Sequence, residues 1–76
     1  MNRARRELLK RAVAALEEAD GFVNTALDEE QDCLDNMPEN LSESERYEKM
    51  ENAIGHLEDA LENISSAMEC IECASE

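Results

Sequence analysis

From Tyr47 to the end of the chain, apolar residues recur at alternating steps of three and four: Tyr47, Met50, Ile54, Leu57, Leu61, Ile64, Met68 and Ile71. Strands repeat at two and helices at 3.6, so this spacing predicts one long amphipathic helix. The alternation is that of heptad a and d positions, and no polar residue interrupts it. The position before each a residue is Ala53, Ala60, Ala67 and Ala74, a shoulder of small side chains where another backbone can approach closely.

The first half follows the same plan less strictly. Leu9, Val13, Leu16, Val23, Leu27 and Leu34 form its seam, and Ala12, Ala19, Ala26 and Cys33 its shoulder. Leu8, Ala15 and Phe22 widen the apolar face beyond what a two-stranded seam needs, and a face this broad suits a bundle. Two polar residues stand in the seam, Asp20 at an a position and Glu30 at a d position. Asp20-Gly21 is a turn signal. The heptad phase nevertheless continues across it, which favours one helix with a weak point. Gly there costs about 1 kcal/mol against Ala.

Between the halves lies DNMPENLSESE, residues 35–45. Pro38 cannot continue a helix and turns Met37 away from helical angles. Ser42 followed three residues later by Glu45 reads as a capping box opening the second helix. The expected fold is therefore all-α: a single domain, residues 1–76, made of helices over about 2–35 and 43–75 joined by a turn at 36–42. So short a turn makes the helices antiparallel neighbours. In that register Cys33 falls near Arg46, Phe22 near Leu57, and Glu30 near Lys49 or Arg46, while Met37 closes the end of the core. Two helices bury only the facing part of each seam, so the expected assembly is a homodimer forming an antiparallel four-helix bundle.

Charge sharpens this picture. The 76 residues carry a net −13, yet residues 1–11 carry +4 and the remainder −17. An acidic body repels nucleic acid and anionic membranes and favours basic protein partners. Direct nucleic-acid binding through MNRARRELLKR is disfavoured further, because no aromatic residue in it can stack on a base. Arginines at a helix N-terminus oppose its dipole. In the hairpin they would lie beside Glu69 and Glu72, which would offset that cost. No stretch is long and apolar enough to span a membrane. The N-terminus lacks the apolar run of a secretory signal, and three cysteines without such a signal point to reduced thiols in a cytoplasm.

Candidate chemistry is sparse. Cys70-Ile-Glu-Cys73 could be half of a metal or redox site. A structural zinc needs about four ligands, however, and Cys33 belongs at the other end of the hairpin. A redox CxxC sits at a helix N-terminus, not at a C-terminus among Glu69, Glu72 and Glu76. His56 is off the seam, and the residue three before it is Ala53 rather than the Glu of a diiron bundle. No metalloprotease, phosphate-loop or EF-hand pattern occurs. The sequence thus points away from an enzyme and from any cofactor. It points toward a non-enzymatic structural or interaction module, or alternatively an acidic decoy that inhibits a basic nucleic-acid-binding protein.

The stretch DEEQDCLDNMPENLSESERYEKMENAIGHLEDALE resembles small helical-hairpin proteins of Firmicutes bacteria, many carried on prophages and conjugative elements. The shared pieces are an EEQ, a D-N-x-P-E-x-L turn, S-E-R and a run of Glu and Leu heptads, matched here from Glu29 to Glu62, with a similar MNRARR start. The turn, Asp35 to Ser44, is the most specific of these. Tyr47, where a small residue is expected, and the cysteines depart from the pattern. The resemblance implies a hairpin from a bacterial cytoplasm with a mobile-element origin. It assigns no activity to any residue.

Overall fold

The computed structural model describes residues 1–41 and 44–76. Two long helices, α1 (Arg3–Asp35) and α2 (Glu45–Ala74), are joined by a segment that holds one short 3-10 turn at Glu39–Leu41. The helices pack against each other as a hairpin, all-α among the described residues. The molecule is a rod of 59 × 15 × 13 Å, with a radius of gyration of 17.3 Å. A globular chain of this length would have a radius of gyration of about 11 Å.

Each helix boundary has a local cause. Asn2 caps α1 from an extended backbone, its side-chain oxygen accepting the Arg5 N–H at 2.8 Å. At the other end the Asn36 side chain donates to the Asp32 carbonyl at 2.8 Å, and the Met37 N–H reaches the Leu34 carbonyl at 3.1 Å. These bonds satisfy carbonyls that a helix end leaves without partners. Pro38 follows, exposed, and the chain turns.

The start of α2 corrects the expected cap. The N-cap is Ser44, whose hydroxyl accepts the Tyr47 N–H at 3.1 Å, while Ser42 lies outside the described residues. Glu45 is then the first helical residue rather than the returning member of a capping box. Ser44 satisfies one first-turn donor alone, because the residue three further on is Tyr47, which cannot return the bond. Glu45 and Glu48 still place negative charge on the positive end of α2. Because α2 starts at Glu45 rather than 43, the connection is longer than the expected 36–42 turn.

All the seam residues face inward to some degree. Met50 and Ile54 are buried; Leu9, Val13, Leu16, Val23, Leu27, Leu34, Tyr47, Leu57, Leu61, Ile64, Met68 and Ile71 are half-buried. The two buried residues lie at the turn end of the hairpin, where Leu34 and Met37 are also half-buried. α1 contains no buried residue at all.

α1 runs unbroken through Asp20-Gly21. The Asn24 side chain donates to both the Asp20 carbonyl and the Asp20 carboxylate, each at 3.0 Å. Asp20 is therefore hydrogen-bonded within its own helix, which explains how a carboxylate stands half-buried at a seam position. A Cβ built on Gly21 would meet nothing within 4 Å. Gly21→Ala should accordingly stabilise the hairpin by about 1 kcal/mol, with the gain coming from helix propensity and a less flexible unfolded chain. Urea unfolding followed by circular dichroism reads this directly; no gain would mean that the helix needs its weak point.

Candidate interaction surface

An antiparallel pair joined through a and d positions has two unlike sides. The e positions of both helices flank one edge of the seam, and the g positions flank the other. A shallow groove of about 280 Å³ shows which edge is which at the open end of the hairpin. It is lined by Leu9, Lys10 and Val13 of α1 and by Glu72 and Ser75 at the end of α2. Lys10 and Glu72 are both e positions, so the e edges lie together and the g edges lie together on the opposite side.

The two sides differ in chemistry. On the e side and the adjoining b positions stand Glu7, Glu17, Asp28, Asp35, Glu48, Glu51, Glu58, Glu62, Glu69 and Glu72, with Arg3 and Lys10, both at the open end, as the cations. On the g side, and at the c positions beyond it, the helices place the alanine shoulders together with Leu8, Ala15 and Phe22. Leu8 is 60% exposed and Phe22 68% exposed. Ala26, Cys33 and Ala74 are exposed as well, and the remaining shoulder alanines are half-buried. Among the acidic residues of the two helices only Glu29 falls on this side, against three cations, Arg5, Arg46 and Lys49. The broad apolar face read from the first half of the sequence is thus a real surface on α1, continued on α2 by the alanine shoulder, and Glu29 is its one helical carboxylate.

Several expected pairings take other forms. Glu30 is half-buried but forms no ion pair among the described residues; Lys49 pairs instead with Glu45, at 3.4 Å, one turn back on its own helix. The other ion pair among the described residues, Lys10 with Glu7 at 3.4 Å, is also local. No ion pair there crosses between the helices. The physical reason is that exposed pairs contribute little, so nothing holds long side chains across the seam. The basic tip does share its end of the hairpin with Glu72, as the groove shows, but attraction acts across solvent rather than through a bond.

The cysteines and histidine fall where the heptads put them. Cys33, Cys70 and Cys73 are free thiols on exposed positions, with Cys33 at the turn end and the other two at the open end. His56 is exposed at a c position. Among the described residues no group of three or more His, Cys, Asp or Glu is arranged to hold a metal ion, and no helix is long and apolar enough to cross a membrane.

No family model, no curated protein and no solved structure matches the chain.

The open end generates a test. α1 begins without an acidic residue in its first turn, and α2 ends without a basic residue in its last, so both helices oppose their own dipoles there. Exchanging the signs of Arg6 and Lys10 with those of Glu69 and Glu72 keeps the net charge and the attraction between the ends while correcting both dipoles. At low salt the exchanged chain should melt above either half-variant, by more than the two separate effects add up to, and the excess should shrink as salt rises. Strict additivity in thermal melts would show that the ends do not sense each other.

Proposed function

We propose that the protein is a non-enzymatic interaction module that works by laying an apolar helix face against other helices. The observation that carries this reading is the shortage of interior. The hairpin exposes 5837 Å², about 1,100 Å² more than the roughly 4,700 Å² of a compact globular chain of its mass. Among the described residues two side chains, Met50 and Ile54, are buried. Ordering each residue costs about 1–2 kcal/mol for the backbone alone, and a core this thin offsets little of it. Further burial must come from outside the chain. The likeness of the turn region to Firmicutes hairpin proteins supports a place in a bacterial cytoplasm, on a mobile element.

A second reading rests on the other side of the molecule. The crowd of carboxylates on the e and b positions suits an acidic decoy that occupies the site of a basic nucleic-acid-binding protein. A pull-down that returns such a partner, released as salt rises, supports the decoy; partners held equally at high salt count against it.

The interaction reading predicts a weak isolated hairpin. Chemical unfolding at the lowest workable concentration should give a stability below the approximately 5–15 kcal/mol of an ordinary domain. A chain that keeps that stability however far it is diluted would overturn the reading, since it would need no neighbour.

A further inference from the structure

The occupant of the apolar face can be argued from charge, size and shape, on the footing of the interaction-module reading. We infer that the g and c face docks onto the same face of a second copy of this chain, with Leu8 and Phe22 as its anchors.

Charge restricts the approach most. Two chains of net −13 repel each other from every direction that presents carboxylates. The g and c face is where the repulsion is least. Its charged residues are Arg5, Arg46 and Lys49 against Glu29, a small positive excess on a strongly acidic molecule. A basic partner protein would be drawn to the carboxylate side and turned away from this one. Another acidic chain would be turned away from the carboxylate side and admitted here. An identical chain meets that condition by construction.

Size agrees. The overlapping length of the helices, about 45 Å at 1.5 Å per residue, and the 15 Å width of the rod give a face of roughly 700 Å² in projection, close to the approximately 800 Å² per partner of a standard stable interface.

Shape agrees too. A two-fold interface must be self-complementary, each residue meeting its counterpart's partner on the other copy. The large exposed anchors, Leu8 and Phe22, are both on α1. On α2 the g positions are small, with Ala53, Ala60 and Ala67 along the shoulder, while the c positions beyond them carry Lys49, His56, Asn63 and Cys70 at the rim of the face. A two-fold axis along the rod sets α1 of each copy against α2 of the other, so anchors meet alanines twice over and every neighbouring helix pair runs antiparallel. Close approach at alanine positions brings the backbones together, and Phe22, left wet in one hairpin, is covered.

The test uses two neighbouring alanines. Ala14 and Ala15 are both exposed, and a Glu at either would stand four residues after a cation, Lys10 or Arg11. Ala15 lies on the proposed face between the anchors; Ala14 lies about 100° away, on the carboxylate side. Molar mass by light scattering or sedimentation, across a dilution series with reductant, gives the dimer Kd. Ala15→Glu should raise it by about 100-fold or more, because the added carboxylate is desolvated in both copies. Phe22→Ala should do the same by removing two anchors. Ala14→Glu should leave it within about 3-fold, an exposed charge being largely screened. A loss of helix content in Ala15→Glu that Ala14→Glu does not share counts for the proposal, since local helix preferences are alike at the two sites. Two results overturn it: a wild-type chain that is monomeric at every concentration, or a dimer that Ala14→Glu and Ala15→Glu weaken equally. A monomer of low stability would remove the second copy but leave the interaction reading standing. A fully stable monomer would remove both.

Discussion

Two helices in contact share one line of side chains, and a line cannot enclose anything. Most features of this chain follow from that constraint. A core residue needs neighbours on several sides, and in a hairpin each seam residue has one helix in front of it and solvent to left and right. The seam holds fourteen apolar residues at regular spacing, interrupted only by Asp20 and Glu30 between Leu9 and Ile71 within the two helices, yet it yields two buried side chains. The shortfall does not reflect poor packing residues, since Leu, Ile, Val and Met fill the seam. It reflects the number of helices. Adding a layer on the side where the alanines lie would turn half-buried seam positions into interior ones without changing a residue.

The distribution of charge is the complement of that geometry. A chain with twenty acidic residues could scatter them over every position not needed for the seam. Instead the helical carboxylates occupy the e, b and f positions, with a few in or beside the seam, and nearly vacate g and c. Segregation of this kind has no benefit for a solitary hairpin, in which g and e positions are equivalent edges of one seam. It acts only when something approaches one edge and not the other. In the proposed dimer the like charges on the outer faces would discourage further layers, so that growth would stop at a closed assembly rather than continue into a filament.

The ends of the rod express a different compromise. At the turn end, Ser44 caps α2 and Glu45 and Glu48 follow, all in the favourable sense for its dipole. At the open end, Arg3, Arg5 and Arg6 begin α1 and Glu72 stands in the last turn of α2, both in the unfavourable sense. Antiparallel pairing places these two unfavourable ends together. Each helix then supplies the counter-charge that the other lacks, although no ion pair among the described residues spans the gap. That arrangement ties the register of the hairpin to its charge pattern: sliding one helix by a heptad would keep a and d positions facing one another but separate the opposed charges.

The all-α hairpin, its long helices and the inward set of residues were legible because they depend on periodicity, and the period survives every local irregularity. The same holds for α1 crossing Asp20-Gly21: phase outweighs a turn-prone dipeptide when packing on both sides supports the helix. What the sequence left obscure depends on choices between near-equals. Ser42 and Ser44 are both fit to cap α2, and the pattern S-E-S-E-R-Y offers a complete capping box only from the first. The structure takes the second, where one hydroxyl bond to Tyr47 suffices. Likewise, a cation opposite Glu30 suggests a bridge across the seam, but Lys49 has Glu45 one turn away on its own helix, and the local pair forms with less ordering of the side chains. Asp20 is the reverse case. Its partner, Asn24, was four residues away in plain sight, the spacing at which helical side chains meet, but attention to the seam obscures bonds made along a single helix. Patterns that repeat are read from sequence with ease; a single bond with a rival of similar energy is settled only by the geometry around it.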